Sequence, residues 1–359
     1  MLKVNSFLEY SRALFGVSRE QGKKVMNLNR SKAARRITIF LLPLMPIFIG
    51  LMICLPTLLI AGSLYARDYQ IYTPKTLVFS KWGLAPQDFG LREGNEIEPF
   101  GASTFALDRK ANIYILDSIK GHIKKFNQEG VFLGNIGDKI RGSDVAVNAN
   151  SHVFVLDGQV AREYSSSGDM LDQYSISNDI KLIEGYGQGM IIDDFGNLYV
   201  KRLQETYQIG LGIDGKTKPL EAGNQLLTKR AGLPNITKKR RFKTKWENKH
   251  KAEVRIFDDK GNVPKEISMN TYDIFGSVLF LKEDKEGFIY IENERITSDN
   301  YVHLEVRKYD MEGNLVSIIE LPNDYYTTAY KKIDVDEDGN IYQLVTIPEG
   351  VKLIKWEHK

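Results

Sequence analysis

The sequence predicts an all-β fold, a six-bladed β-propeller preceded by one transmembrane helix, and three observations lead to it. Two short strand-like phrases recur along the chain at similar spacing. A segment of 30 residues without a charged side chain, 37–66, precedes all the copies. Repeated β units of about 40 to 50 residues are typical of sheets arranged radially around a channel.

The first phrase is a strand that begins with an apolar residue followed by an aromatic one. The apolar residue stands at positions 113, 153, 198, 289 and 341, so that successive copies are 40, 45, 91 and 52 residues apart. Because 91 is close to two repeats, a divergent copy is expected near residue 243. The count therefore becomes six blades.

The second phrase, an apolar residue three positions before an aromatic one, predicts the third strand of each blade. It ends at Phe126, Phe257, Tyr309 and Trp356, with a weaker copy at Tyr164. Alternating side chains and Gly-containing turns then divide the clearest copy into four strands. These predicted strands are Phe105–Asp108, Asn112–Asp117, His122–Phe126 and Val131–Ile136.

The end of the chain leaves the last blade short of one strand, because only three residues follow Trp356. The segment Lys75–Gly83 resembles the outer strand of the clearest copy, and we expect it to complete blade six. A ring with unjoined ends would expose two sheet edges, which this strand covers. The boundaries that follow are a linker at 67–74 and a propeller at 75–359. Leu77 and Phe79 are expected to be buried, or Val78 if the register is reversed.

The charge distribution predicts the topology of the chain in a membrane. Residues 1–36 carry a net charge of +7, which leaves −4 for the rest of a chain whose total is +3. Residues 37–66 are long enough to cross a bilayer, and positive flanks remain cytoplasmic. We therefore expect a single-pass signal-anchor in the cell membrane, with a cytoplasmic N-terminal segment and an extracytoplasmic propeller. The alternative is a signal peptide cleaved after Ala66.

Several of these motifs together resemble the NHL-repeat family of propellers, an NHL/TolB-like fold. They are Pro99-Phe-Gly-Ala102, Phe105-Ala-Leu-Asp108, Asn112-Ile-Tyr-Ile-Leu-Asp117 and Phe126-Asn-Gln-Glu-Gly130. Lys120-Gly-His122 stands where the family usually has Asn-x-Arg. The resemblance implies a ring that binds proteins, nucleic acids or sugars, with a minority of lyases and hydrolases.

Two sets of residues are candidates for holding a metal ion. Asp334, Asp336 and Asp338 resemble the start of a calcium loop, but Val345 stands where such a loop needs a bidentate carboxylate. A hairpin turn of the repeat is the alternative interpretation. Enzymes of the family place metal ligands at the channel ends of inner strands, where this chain has a set too mixed for a divalent cation. Those residues are Asp144, Gln188, Ser277 and Lys331. No catalytic residue and no cofactor is assigned.

A basic strand is the candidate ligand-binding surface. Alternation places Lys239, Arg241, Lys243 and Lys245 on one side of it, and Phe242, Thr244 and Trp246 on the other. A solvated face of a strand in blade four is one interpretation. The other is a patch, with Trp246 beside it, for a protein partner or an anionic polymer such as lipid headgroups or cell-wall polymer. The outward placement argues against nucleic acid.

These observations favour a membrane-anchored binding, scaffold or sensing module over an enzyme. None of the five histidines shows metal-ligand spacing, and none stands in a nucleophile motif. An anchored metal-dependent lyase or hydrolase, working at the central channel, is the alternative. The sequence identifies neither the ligand nor the partner.

Overall fold

The computed structural model describes residues 71–182, 188–214, 216–234, 240–258, 260–263 and 265–358. These residues form a six-bladed β-propeller, in which each blade is an antiparallel sheet built around four strands. No helix among them is long and apolar enough to cross a bilayer. The predicted transmembrane helix at 37–66 lies outside the described residues and stays a prediction.

The strands follow the chain from the first blade to the sixth. Before blade one come β1 (Tyr72–Lys81) and a hairpin of β2 (Arg92–Gly94) and β3 (Ile97–Phe100). Blade one contains β4 (Phe105–Leu107), β5 (Ile113–Asp117), β6 (His122–Phe126) and β7 (Phe132–Ile136). Blade two contains β8 (Asp144–Val147), β9 (Val153–Asp157), β10 (Val160–Tyr164) and β11 (Met170–Ser175).

Blade three is the most elaborate of the six. It contains β12 (Gln188–Ile192), β13 (Leu198–Arg202), β14 (Glu205–Ile213) and β15 (Lys216–Pro219), followed by the short helix α1 (Ala222–Leu227) and by β16 (Arg230–Ala231), which pairs with β14. Blade four contains β17 (Leu233–Pro234), β18 (Arg241–Asn248), β19 (Lys251–Phe257) and β20 (Lys265–Asn270).

Blades five and six complete the ring. Blade five contains β21 (Ile274–Glu283), β22 (Ile289–Ile296), β23 (Val302–Tyr309) and β24 (Leu315–Leu321). Blade six contains β25 (Ile333–Val335), β26 (Ile341–Ile347) and β27 (Gly350–His358). Its fourth strand is β1, which pairs antiparallel with β27. The divergent copy expected near residue 243 is β18, and the prediction of six blades is confirmed.

The closing strand has a different register from the one first expected. Val78 is 2% exposed and packs with Phe105, Val351 and Leu353, whereas Phe79 is 57% exposed. The pairing shifts between Thr76 and Val78, so that a β-bulge reverses the side-chain pattern there. Of the two expected registers, the reversed one with Val78 buried is therefore correct, and the one with Leu77 and Phe79 buried is wrong, because Leu77 is only partly buried and Phe79 faces outward.

One turn motif accounts for the repeated Asp, Gly and Asn residues between the first and second strands. Asp336 Oδ1 accepts hydrogen bonds from the backbone N–H groups of Asp338 and Asn340, at 3.0 and 2.9 Å. Its Oδ2 accepts from Asn340 Nδ2 and from the Tyr342 hydroxyl, at 2.8 and 3.1 Å. Gly339 has a φ of 80°, and a Cβ there would lie 2.2 Å from the Tyr290 hydroxyl. Glycine is therefore required at this position.

The inner strands all run in the same direction, which gives the ring two distinct faces. We call the end of the channel where the inner strands begin the channel mouth, and the opposite end, with turns such as 336–340, the turn face. The Tyr72 hydroxyl, at the start of β1, donates to the Gly339 carbonyl at 3.4 Å. The chain therefore enters the ring at the turn face.

Candidate functional site at the channel mouth

The inner strands of blades one, two and three are joined by one buried carboxylate at the channel mouth. Asp144 Oδ1 accepts a hydrogen bond from the Thr104 hydroxyl of blade one at 2.7 Å. Its Oδ2 accepts from the Met190 backbone N–H of blade three, also at 2.7 Å. Asp144 thus fixes the distances between three neighbouring blades where they meet the channel.

The second strands bring further charged side chains to the same place. The electrostatic surroundings of Lys201, on β13, include Asp144 of blade two, Glu292 of blade five and Lys331 of blade six. One side chain can be close to charges of blades two, five and six only if all of them converge on the channel. A Cβ at Gly189 would lie 2.8 Å from Asp144 Oδ2 and 3.6 Å from Lys201 Cε, so glycine leaves space for both groups.

We call this group of side chains the mouth cluster. It consists of Asp144, Lys201, Glu292, Glu294, Lys331 and Lys332. Two of its lysines are ion-paired: Lys331 Nζ lies 2.7 Å from Asp334 Oδ2, and Lys332 Nζ lies 2.8 Å from Glu294 Oε1. Within the described part of the chain, neither Lys201 nor Glu292 has a hydrogen-bond or ion-pair partner at contact distance.

Burial changes the proton affinity of these two residues. It lowers the pKa of Lys201, while the charges of Asp144 and Glu292 oppose that change. It raises the pKa of Glu292 to about 7, and the like charge of Glu294 acts in the same direction. Glu292 therefore changes charge near neutral pH. In its neutral form it can donate a hydrogen bond, and in its ionised form it can only accept.

The repeat shows why Lys201 and Glu292 are unusual. Both occupy the fourth position of the first phrase, three residues after Leu198 and Ile289. The other three copies have a leucine there, and each of these is completely buried: Leu116, Leu156 and Leu344. Two of the five copies thus replace a core leucine by charged residues of opposite sign. This replacement is visible in the sequence when the copies are aligned, but the strand pattern alone does not reveal it.

The structure places the four channel-end candidates at the mouth, but in different roles. Asp144 links three blades, and Lys331 is paired with Asp334. Gln188 Nε2 donates to Ser143 Oγ at 3.1 Å. The Ser277 hydroxyl is buried without a hydrogen-bond partner among the described residues, and Ser277 is the cross-strand neighbour of Glu294. The Ser277 hydroxyl is therefore a polar group beside the mouth cluster whose hydrogen-bonding capacity is not used by the described residues.

The carboxylates of the candidate calcium loop have three separate partners. Asp336 is the acceptor in the repeat turn described above, Asp334 pairs with Lys331, and Asp338 pairs with Lys285. Among the described residues, no group of three or more His, Cys, Asp or Glu side chains is arranged to hold a metal ion. The turn explains the spacing of these aspartates by local hydrogen bonds.

The basic strand is β18, and its side chains alternate as the sequence indicates. Phe242 is buried and stacks on Phe280 with ring centroids 3.7 Å apart, and Trp246 meets Phe275 edge to face at 6.0 Å. Lys243 is partly buried, and Lys245 is exposed with its Nζ 3.9 Å from Glu253 Oε2. Lys239 lies outside the described residues.

Arg241 of the basic strand is held by hydrogen bonds to the neighbouring blade. Its guanidinium donates to the carbonyls of Ala231 and Gly232 at 3.1 and 3.0 Å, and to the Thr206 hydroxyl. Burial lowers the pKa of Arg241 to about 10. Arg241 thus ties blade four to blade three. Among the described basic side chains of this strand, Lys243 and Lys245 remain available to a partner.

We expect Lys243 and Lys245 to strengthen binding to an anionic surface. Each lysine near such a surface contributes about 1 kcal/mol, and added salt weakens the attraction. Changing both to Gln should therefore reduce the binding of residues 72–359 to anionic vesicles or wall polymer, measured by sedimentation. The matched control changes Lys216 and Lys218, two exposed lysines on one strand of blade three, to Gln. Equal losses in both variants would leave the solvated-face interpretation in place.

Comparison with known proteins gives structural similarity without a family. No family model and no curated protein matches the chain. Virginiamycin B lyase from Staphylococcus aureus is similar at 11% identity, covering 79% of this chain and 99% of the other, with a TM-score of 0.41. A member of the DUF4221 family from Bacteroides vulgatus has 10% identity, covers 82% and 99%, and has a TM-score of 0.45.

A gluconolactonase from Xanthomonas campestris is also similar, at 10% identity over 82% of this chain and 93% of the other, with a TM-score of 0.33. At these identities and scores, the similarities carry no argument about ligands or reactions. The fold assignment rests on the six sheets of this chain, and the candidate site rests on its own contacts.

Proposed function

We propose that the chain is a membrane-anchored, extracytoplasmic propeller that binds or senses a ligand, and that the ligand occupies the channel mouth. The observation that carries this proposal is the pair Lys201 and Glu292 at positions where the other copies have buried leucines. Burying a leucine contributes about 1.5 to 3 kcal/mol, and burying a charge without a partner is unfavourable. A fold that gives up this stability at two positions of the same repeat is expected to use them in function.

The position of the mouth on the ring fits a binding role. The chain enters the ring at the turn face, where Tyr72 contacts Gly339, so the channel mouth lies at the other end of the blades. The closing strand β1 therefore begins at the end of the blades opposite the mouth.

The proposed membrane topology has a direct test. Because positive flanks remain cytoplasmic, protease added to intact cells should digest residues 72–359 and spare residues 1–36. Fragment masses identify the protected part. If the propeller were protected until the cells are opened, the proposed orientation would be wrong.

An anchored lyase or hydrolase is the second candidate, and the pKa of Glu292 favours it. A carboxyl group that titrates near pH 7 is suited to general acid or base catalysis. The metal-dependent form of this candidate would need carboxylates of the mouth cluster to accept a cation close to three lysines, whereas no group of three or more His, Cys, Asp or Glu among the described residues is arranged to hold one. Metal analysis of the purified protein separates the candidates, because a stoichiometric, tightly held divalent cation supports the enzyme.

The binding proposal predicts that ligands depend on the two charged side chains. The full chain in detergent is tested by thermal unfolding against a panel of carboxylates, amino acids, neutral sugars and phosphate esters. At least one class should raise the unfolding midpoint of the wild type, but not that of Lys201→Leu or Glu292→Leu, because both variants restore the residue of the other repeats. Lys285→Ala, an exposed lysine of the turn face, is the control. If every shift persisted in both leucine variants, the mouth would not be the binding site.

A further inference from the structure

We propose that a groove between blades five and six, at the turn-face end of the ring, holds one acyl chain of a membrane lipid. This inference goes beyond the binding site proposed at the channel mouth, and it rests on the proposed anchoring only for the source of the lipid. The ligand class is a neutral or zwitterionic glycerolipid, recognised by its apolar chain and by an ester carbonyl oxygen.

The groove lies where the outer edge of β24 meets the start of the closing strand and the end of β27. Its volume is about 490 Å³, within the usual range of about 300 to 1,000 Å³ for ligand pockets. Five of its seven described lining residues are apolar or aromatic: Ile71, Tyr72, Ile318, Ile319 and Trp356. The lining therefore suits an apolar ligand.

Two apolar side chains of the groove are exposed to solvent. Ile71 is 71% exposed and Ile318 is 43% exposed, whereas Ile319, which points to the other side of β24, is buried. An apolar chain in the groove would remove surface of both exposed side chains from water. This burial is the driving force expected for such binding.

The groove also contains a buried hydrogen-bond donor that the described residues leave unused. Trp356 Nε1 is buried and has no hydrogen-bond partner among them. The Tyr72 hydroxyl, by contrast, donates to the Gly339 carbonyl at 3.4 Å. A buried indole N–H usually has an acceptor. A ligand that supplies one needs a single acceptor oxygen beside an apolar body, as in the ester of a glycerolipid.

The charges on the β24 side of the groove disfavour a free fatty acid. Glu320 lines the groove, and its partner Arg295, at 3.4 Å, also pairs with Asp273 and Glu305. Glu305 is shared in turn with Arg307. Two guanidinium groups thus face three carboxylates, and a further carboxylate would be repelled. A neutral ester avoids this repulsion.

The charged side chains nearest the other wall are engaged elsewhere. Lys355 and Glu357 flank Trp356 on β27 and therefore face the other side of the sheet, where they pair at 2.9 Å. Lys308, on the strand next to β24, lies over the Phe288 ring with its Nζ 4.0 Å from the ring centroid. Both lysines thus already have partners, and an anionic headgroup would gain no free ion pair from them.

The length of the chain before the groove brings a bilayer within reach of it. The apolar segment 37–66 ends five residues before Ile71, and five extended residues span at most about 18 Å. The polar layer of each leaflet is itself about 5 to 8 Å thick. If the segment is the membrane anchor, Ile71 lies close to the lipid. Tryptophan and tyrosine, here Trp356 and Tyr72, are the side chains enriched at that depth.

The test is fluorescence quenching by phosphatidylcholine that carries bromine on its acyl chains, because bromine quenches tryptophan only near contact. The chain has three tryptophans, and the full-length variant Trp82→Phe/Trp246→Phe keeps Trp356 alone. In vesicles of the brominated lipid, this variant should lose most of its emission. The matched variant Trp82→Phe/Trp356→Phe keeps Trp246, which packs against Phe275, and it should retain its emission. Equal quenching of the two would contradict a site in the groove.

Two further substitutions distinguish the groove from general closeness to the bilayer. Ile318→Glu, added to the variant with Trp356 alone, puts a carboxylate in the groove and should abolish the quenching. Because Ile318 is exposed, the thermal unfolding midpoint should change little. Val131→Glu changes an exposed apolar residue at the turn-face end of blade one and should leave the quenching intact. If both substitutions, or neither, removed the quenching, the groove would not be the lipid site.

Carbonate extraction of the vesicles separates this inference from the proposed anchoring. Protein that resists extraction while Trp356 keeps its emission would be anchored, with a groove that holds no lipid. Protein that is released would contradict the anchoring, and Trp356 must then still be quenched in detergent micelles with brominated lipid for the groove to stand. An unquenched dimer that Ile318→Glu dissociates, in sedimentation velocity, would assign the groove to a second copy and overturn the proposal.

Discussion

A chain that begins at Gly83 is expected to lose cooperative unfolding, whereas a chain that begins at Tyr72 should keep it. Removing β1 exposes the edge of β27 and uncovers the core formed by Val78, Val351 and Leu353. Burial of one such side chain contributes about 1.5 to 3 kcal/mol, against a typical total stability of about 5 to 15 kcal/mol. Thermal melts followed by tryptophan fluorescence and by circular dichroism measure the difference. Equal midpoints would show that β1 does not close the ring.

A matched pair of point substitutions tests the same closure in the full chain. Val78→Asp places a carboxylate in the core between blades six and one, and it should lower the free energy of unfolding by about 3 kcal/mol or more. Phe79→Asp, one residue away on the exposed side, should change it by less than about 1 kcal/mol. The reverse order would mean that the bulge between Thr76 and Val78 is misplaced.

The repeats made the architecture predictable, because each copy carries both the strand pattern and the turn that ends it. Even the divergent fourth blade could be placed near residue 243 from spacing alone, and β18 lies there. The register of β1 could not be predicted with the same certainty. A β-bulge changes which residues face the core without altering the apolar pattern, so the sequence left two registers open, one burying Leu77 and Phe79 and the other burying Val78.

The candidate site was predictable only in part. The sequence predicts where the inner strands begin, and Asp144 and Lys331 do lie at the mouth. Lys201 and Glu292 are 91 residues apart in the sequence, and nothing local indicates that their charges influence each other. Aligning the fourth position of each copy would have shown both, because a lysine and a glutamate replace leucines. Which group each of these side chains pairs with, by contrast, depends on the three-dimensional placement of the side chains.

The basic side chains of β18 have different roles, although the sequence pattern treats them alike. Alternation alone makes Arg241, Lys243 and Lys245 equivalent, since all three point to the same side of β18. The structure distinguishes them, because the carbonyls of Ala231 and Gly232 hold the Arg241 guanidinium. A variant that changes all the basic residues would therefore mix lost binding with lost stability. Leaving Arg241 intact keeps the two effects apart.

Glu292→Gln is expected to change how the stability of the protein depends on pH. The pKa of Glu292 is raised from its ordinary 4.5 to about 7, so the folded chain holds this proton more tightly than the unfolded chain does. The resulting stabilisation is fully present below pH 4.5, is lost as the pH rises to about 7, and stays lost above it. Over this window the loss is about 3 kcal/mol.

Denaturant unfolding of the full chain at pH 4.5, 6 and 8 measures this effect. The difference in free energy of unfolding between Glu292→Gln and wild type should grow by about 3 kcal/mol from pH 4.5 to pH 8, whereas the exposed control Glu286→Gln should give a constant difference. Glu292→Leu should be the most stable at pH 8, because it restores the buried leucine of Leu116, Leu156 and Leu344. A constant difference for Glu292→Gln across the three pH values would mean that Glu292 is ionised throughout, and Glu292 could then not act as a general acid near neutral pH.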